Sequence, residues 1–366
     1  MRVRIRGRDQ RSDQGERPSQ PTDGGRVDEK AAKDEKAADG ERVTVEDAPH
    51  NVEVLDQTEA VDEQVIEQEV ASTIPKPTPP SRGSPVDLPA KDVLGLAAEE
   101  ETVERGDYVP RPIPRIMAVA NQKGGVGKTT TAVNLGAALA ELGYRVLVVD
   151  LDPQGNATTG LGIDARSFEL SMYDVLMRDV SLEDAVEPTS MKNLFVAPAT
   201  IDLAGAEIEL VPSFSRELKL RRALEAVSGD FDFILIDCPP SLGLITVNGL
   251  AAADEVLVPI QCEYYALEGL GQLLRNVHLV QANLNDGLEV STIVLTMYDA
   301  RTKLAEQVAD EVRTHFGNKV CRNVIPRTVR ISEAPSFGQP ITVFDPTSRG
   351  AIAYRELAKE VSGGAS

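Results

Sequence analysis

Lys128, Thr129 and the glycines before them are the residues of this chain whose types and spacing most plainly permit chemistry. Asn121–Ala140 reads NQKGGVGKTTTAVNLGAALA, close to the phosphate-loop pattern G-x-x-x-x-G-K-[ST]. The pattern's first glycine is replaced by Gln122, and a second lysine, Lys123, follows it. Gly124, Gly125 and Gly127 allow backbone conformations in which successive N–H groups, Val126 included, turn toward phosphate oxygens. The start of the next helix, with Thr130 in its first turn, adds partial positive charge. In such a loop Lys128 reaches the β- and γ-phosphates of ATP and the Thr129 hydroxyl ligates Mg2+. Two carboxylates stand at strand tips. Asp237 ends FILID and precedes CPPS, where a Walker-B acid holds Mg2+ through its waters. Asp150 ends YRVLVVD, and LDPQGN places Asp152 two residues further.

These groups need a frame. IMAVAN (116–121), YRVLVVD (144–150), FDFILID (231–237), EVLVPI (255–260) and VSTIVLTM (290–297) are short continuous apolar runs. Unbroken runs fit strands covered on both faces. TTAVNLGAALAELG is a helical stretch that Gly143 stops, and Ala266–Leu284 carries Leu270, Leu273, Leu274, Val277 and Leu284 at helical spacing. Strands alternating with helices predict an α/β fold: a mostly parallel twisted sheet with helices on both faces and right-handed crossovers. Ligands bind such sheets at the carboxyl ends of the strands, where all of these motifs fall.

Composition narrows the class. Cys238, Cys262 and Cys321 form no C-x-x-C pair, so neither a disulfide framework nor a cysteine metal site is expected. No apolar run approaches the ~18–20 residues of a membrane span, and MRVRIRGRDQ lacks the apolar stretch of a signal peptide. A cytoplasmic protein without a membrane partner is the expectation. The net charge of −20 is uneven: residues 1–110 hold 15 Lys/Arg and 26 Asp/Glu (15 − 26 = −11), leaving −9 for the rest. Residues 1–110, with runs such as DEKAAKDEKAADGE and TIPKPTPPSRGSP, read as an acidic, largely disordered extension, with a solvated tail favoured over a short amphipathic helix at 52–70. Residues 111–362 read as one ATPase domain and 363–366 as a flexible end.

Several motifs together carry a resemblance. KGGVGKTTT, DLDPQGN, APATIDLAGAEIEL, IDCPPSLG, PIQCEYYALEGL, LTMYDART and IPRTVRISEAPSFGQP, in this order over about residues 113–362, resemble the ParA/Soj chromosome-partitioning ATPases. That family belongs to the deviant-Walker group, with MinD and the nitrogenase iron protein. The resemblance implies that Lys123 is the signature lysine, crossing an ATP-sandwich homodimer to the partner subunit's nucleotide. It implies that Asp152 orients or activates the attacking water. Gly124 would lie where the subunits approach, so that a bulkier residue blocks dimerisation. Pro326 matches a segment that packs on adenine, and Thr328 stands where the family often has Asn. Further implications are a ParB-like partner, slow hydrolysis raised by it, nonspecific binding of double-stranded DNA by the ATP dimer, and association with the nucleoid.

Within this acidic chain residues 299–330 hold seven Lys/Arg against four Asp/Glu (7 − 4 = +3). Arg301, Arg322, Arg327 and Arg330 are the candidate DNA contacts, with Arg275 beside His278 on the preceding helix as a further one. A membrane-cycling MinD role would need a basic amphipathic final helix, which AYRELAKEVSGGAS does not supply. The iron protein's cluster cysteines are missing. A rival of another class is an ATP-switched scaffold that positions protein cargo.

Overall fold

Residues 112–263 and 266–363 are described by the structure, a computed structural model. The expectations for residues 1–110 and for the end beyond Gly363 lie outside the described residues. A seven-stranded sheet has the order β3-β4-β2-β5-β1-β6-β7. Its strands are β1 (Arg115–Val119), β2 (Val146–Asp150), β3 (Glu187–Pro188), β4 (Leu194–Ala197), β5 (Phe233–Asp237), β6 (Glu255–Gln261) and β7 (Glu289–Thr296). All pairings are parallel except that of the two-residue edge strand β3.

The apolar runs are continuous because their alternate residues feed two separate cores. Ala118, Leu147, Val149, Ile234 and Ile236 face one side. Met117, Val119, Val146, Val148 and Leu235 face the other. Against the second face pack α1 (Lys128–Glu141) and α12 (Arg349–Ser362). Gly136 lets α1 sit close to the sheet, since a Cβ there would come within 3.1 Å of Val148 Cγ2. Against the first face pack α7 (Leu244–Ala252), α8 (Ala266–Asn283) and α9 (Lys303–Phe316), with Leu250, Leu270, Leu273, Val277 and Val308 buried. The remaining helices are short: α2 (Asn156–Gly160), α3 (Met172–Met177), α4 (Leu182–Ala185), α5 (Leu203–Glu209), α6 (Lys219–Glu225), α10 (Val329–Glu333) and α11 (Ile341–Phe344).

All five expected strands occur, with ends shifted by one or two residues. β4 and β3 were not among the expected strands. LFVA is four residues long and runs into Pro198, too little for a periodic signal.

Register sets the functional edge. β1 lies between β5 and β6, with Val119 opposite Asp237, and Asp237 is in turn opposite Asp150 of β2. The loop leaving β1 therefore emerges beside both acids, where strand order reverses. At the other end Arg115 clamps β1 to β6 through a buried pair with Glu255, at 2.7 and 2.8 Å.

Candidate nucleotide-binding site

The loop between β1 and α1 is held by hydrogen bonds to the two strands beyond it, β6 and β7. Asn121 Nδ2 donates to the Pro259 carbonyl of β6 (2.8 Å), and its Oδ1 accepts from the Lys123 N–H (3.0 Å). Thr296, the last residue of β7, donates from Oγ1 to the Val126 carbonyl (2.7 Å). Gly125 (φ 75°) and Gly127 (φ 90°) adopt the left-handed conformation that favours glycine, and Gly127 leads directly into α1. Preset turns of this kind aim backbone N–H groups and a helix amino terminus into one cradle.

Lys128 is buried at the base of that cradle, with Nζ donating to the Lys123 carbonyl (3.3 Å). Burial lowers its pKa below the usual lysine value, while the charges of Asp237, Cys238 and Asp152 oppose the shift. Asp237 is wholly buried, and neither carboxylate oxygen makes a hydrogen bond of normal geometry. Its pKa stands well above the usual range because of burial first and the neighbouring Asp150 second. The Thr129 hydroxyl opposes that rise from close by, though outside ordinary hydrogen-bond geometry. A pair of orphaned buried oxygens beside a threonine hydroxyl fits a hard cation that takes oxygen ligands. Among the described residues no cluster of three or more His, Cys, Asp or Glu could hold a metal alone. The ion would therefore depend on phosphate oxygens and water, as Mg2+ in nucleotide sites does.

An expected result follows from Asp237. A carboxyl whose folded pKa is raised contributes stability that is fully present below its unfolded value, near 4. That contribution is lost as pH rises through the folded value. Asp237→Asn should therefore raise the melting temperature of the nucleotide-free chain at neutral pH, by about 2–4 °C per kcal/mol relieved. The difference should vanish near pH 4, and the variant should lose the added stability that Mg2+ with ATP gives the parent. Thermal melts across pH, with and without both ligands, check it.

Asp150 and Asp152 divide structural from chemical work. Asp150 Oδ2 accepts from the N–H and Oγ1 of Thr158 (2.8 and 2.7 Å), and Oδ1 accepts from the Asp152 N–H (3.1 Å). Burial raises its pKa to about 6 even so. Its oxygens are occupied in tying β2 to α2. Asp152 Oδ1 accepts from the Gln154 N–H (3.0 Å), and Oδ2 accepts no hydrogen bond among the described residues. One oxygen fixed and one available suits a group that orients a water molecule.

Lys123 bends back within its own chain, its Nζ 3.2 Å from Glu263 Oε2, a carboxylate also held by Gln261. Gly124 is exposed, without left-handed φ, and a Cβ there would meet nothing within 4 Å. Pro326 is half-buried and bridges Tyr298 just past β7, placing it at the same edge of the sheet. Thr328 is the N-cap of α10, its Oγ1 accepting from the Ile331 N–H (3.3 Å).

The basic candidates are all exposed but not alike. Arg301 forms a two-pronged pair with Asp299 (2.8 and 2.7 Å), and Arg330 pairs with Glu333 and Asp345 (3.2 Å each). Arg275, Arg322 and Arg327 have no side-chain ion pair among the described residues. Sequence reasoning missed Asn121, Thr296 and Glu263. Each is a polar residue at the end of a buried apolar run, and that placement was the available signal.

Comparison with known proteins agrees with the geometry. The AAA domain family model matches residues 114–290. The chain is 60% identical over 248 residues to the sporulation initiation inhibitor protein Soj of Bacillus subtilis, covering 68% of this chain and 98% of that protein. It is 55% identical over 249 residues to the chromosome partitioning protein ParA of Caulobacter vibrioides, covering 68% of this chain and 93% of that one. A Mycobacterium smegmatis protein named cobyrinic acid a,c-diamide synthase, solved with ADP and magnesium, is 45% identical with a TM-score of 0.59. The match covers 68% of this chain and 93% of that chain. The same protein has also been solved with an ATP analogue and magnesium.

Proposed function

This chain belongs to the Soj/ParA family of chromosome-partitioning ATPases, and from that premise we propose that it works as an ATP-dependent homodimer. The dimer binds double-stranded DNA without sequence preference and segregates chromosomal or plasmid DNA with a ParB-like partner. The chain is an ATPase of the P-loop kind, using ATP and Mg2+. We place its ATPase domain at 111–362, in keeping with the 248-residue alignment. Among the described residues no helix is long and apolar enough to cross a membrane.

The observation that carries the reading is Gly124. Among the described residues nothing requires glycine there, by conformation or by space. Clearance that the monomer does not use suits the approach of a second subunit beside the phosphates. Lys123 would then exchange Glu263 for the partner subunit's nucleotide, where a cation offsets charge developing in phosphoryl transfer. An exposed ion pair is worth only about 0–1 kcal/mol, so it yields readily to a phosphate.

Bound Mg2+ would neutralise phosphate charge, beside Thr129 and Asp237. Lys128 would bind the phosphates from below, the Gly124–Thr130 amides would cradle them, and Asp152 would hold the attacking water. Adenine would pack on Pro326. Phosphoryl transfer rests on positioning and electrostatics, and in the single chain Lys123 is engaged with Glu263 rather than turned to the phosphates. Intrinsic hydrolysis is therefore expected to be slow, and a ParB-like partner raises it by completing or rigidifying the site. DNA phosphates meet Arg322, Arg327 and Arg275 directly, while Arg301 and Arg330 exchange a carboxylate for a phosphate. ATP-dependent pairing doubles these contacts along one duplex, which makes nucleoid attachment follow the nucleotide state.

One experiment tests both halves. Gly124→Val should bind ATP yet elute as a monomer with ATP and Mg2+, and should fail to retain DNA that the parent retains. Dimers as abundant as the parent's would overturn the reading. In an Asp152→Ala background, Arg301→Glu and Arg330→Glu should each lower the slope of log affinity against log salt by about one to two units per dimer. Dimers that never retain DNA would favour the cargo scaffold instead.

A further inference from the structure

The basic stretch that supplies the candidate DNA contacts also carries apolar groups to which phosphate binding gives no role. Val329, beside Arg330 on α10, is 71% exposed, and Phe337 is 64% exposed. Phe337 stands at the end of a stack. The Arg330 guanidinium lies 5.5 Å from the centre of the Phe344 ring, and Phe344 stacks on Phe337 with centroids 4.8 Å and planes 28° apart. Phe344 covers one face of Phe337, and most of that ring remains open to solvent.

The turn that presents the ring is fixed from within. Ile331 and Ala334 before it and Ile341 after it are buried. The Ile341 N–H donates to Asn134 Oδ1 of α1 (2.6 Å), and a Cβ on Gly338 would stand 3.0 Å from Gly162 Cα. An aromatic group preset in this way loses little freedom when something covers it. Charge selects the occupant. Between Arg322 and Arg349 four arginines face Glu333 and Asp345, and both of these acids are already paired with Arg330. An open ring set among arginines, in a chain of net charge −20, suits a polyanion that also offers flat apolar surface. Nucleic acid offers that surface in its bases.

We propose that Phe337 is a wedge that enters the base stack of bound duplex DNA, while the arginines around it hold phosphates. The inference rests on the DNA reading above and adds the contact made with the bases. A ring between two base pairs partly unstacks them and kinks the duplex. Pyrimidine–purine steps yield to this most easily and stiff A-tracts least. Binding thus reads no base edges, yet favours DNA that deforms. Phosphate contacts set the salt dependence and the wedge carries no charge, so one titration separates the two contributions.

The test uses the full-length chain with Asp152→Ala, which slows hydrolysis, in ATP and Mg2+. Phe337→Ala and Phe337→Tyr are compared with that parent on short duplexes that contain either TA steps or an A-tract, across a salt series. Aminopurine, whose emission rises on unstacking, replaces adenine at the TA steps. Sedimentation equilibrium and titration with a fluorescent ATP analogue report whether each variant still pairs and binds nucleotide. The parent should prefer the TA duplex and raise the emission. Phe337→Ala should keep the slope of log affinity against log salt, bind the TA duplex at least about fivefold more weakly, and leave the emission flat. Phe337→Tyr, which keeps a ring, should behave as the parent does. Unchanged affinity and emission in Phe337→Ala overturn the wedge while leaving the DNA reading standing. A parent dimer that retains no DNA overturns the DNA reading, and the wedge with it. Loss of pairing in Phe337→Ala assigns the ring to contact between subunits and overturns the proposal too.

Discussion

Lys128→Ala is expected to remove ATP binding at concentrations that saturate the parent. Lys128 is the cation buried at the base of the loop, and burial has already lowered its pKa. Among the groups that favour its protonation are the carboxyls of Asp237 and Asp152, whose negative charge a polyphosphate would meet uncompensated once the lysine is gone. Truncating one partner of a buried, hydrogen-bonded charge pair costs on the order of 2–5 kcal/mol. That is a loss of about thirtyfold to several-thousandfold in affinity. The loop itself should survive, because Asn121 and Thr296 hold it independently of Lys128. Lys128→Arg should recover little, since a planar guanidinium needs more room than a buried ammonium. Isothermal titration with ATP and Mg2+ gives the answer, with circular dichroism as the fold control. Affinity within about threefold of the parent would remove Lys128 from the phosphate site.

Reading the sequence recovered the parallel strands because burial on both faces leaves an unbroken apolar run, and IMAV, VLVV and FILI are such runs. Lys128, Thr129, Asp152 and Asp237 could be proposed from the sequence because their spacing within a loop or at a strand tip is local. What it could not supply depends on which strands are neighbours. Asn121 matters because β6 lies beside β1, and Thr296 because β7 lies beyond it. Neither adjacency is written in the intervening residues. The pairing of Lys123 with Glu263 spans 140 positions in sequence and rests on the same adjacency. The resemblance picked out IPRTVRISEAPSFGQP as a motif, but that Val329 and Phe337 within it face solvent is a property of packing. Charge counts likewise marked residues 299–330 as basic, yet Arg301 and Arg330 emerge paired with acids.

Asp152→Ala should bind ATP as tightly as the parent or more so, dimerise, and hydrolyse about 100- to 10,000-fold more slowly, the usual contribution of a positioned proton acceptor. Asp152 contributes to the unfavourable acid cluster by raising the pKa of Asp237, so its removal relieves repulsion that a polyphosphate would otherwise meet. Its carboxylate is nearly buried, with Oδ1 fixed by Gln154 and its own N–H held by Asp150. Oδ2 keeps a defined direction with no donor among the described residues, which is what orienting a water requires. Asp152→Asn should keep the turn through its remaining oxygen and still lose most of the rate, separating the proton acceptor from the loop shape. Asp150→Ala is the contrasting variant. It strips three donors, the Thr158 N–H and hydroxyl and the Asp152 N–H, of their buried acceptor. Each orphaned donor costs about 1–3 kcal/mol, so that variant should melt earlier, and its activity should fall with the folded fraction. Single-turnover hydrolysis beside thermal melts separates the two outcomes. If Asp152→Ala lost stability and Asp150→Ala lost only rate, the assignment of water-holding to Asp152 and scaffolding to Asp150 would be reversed.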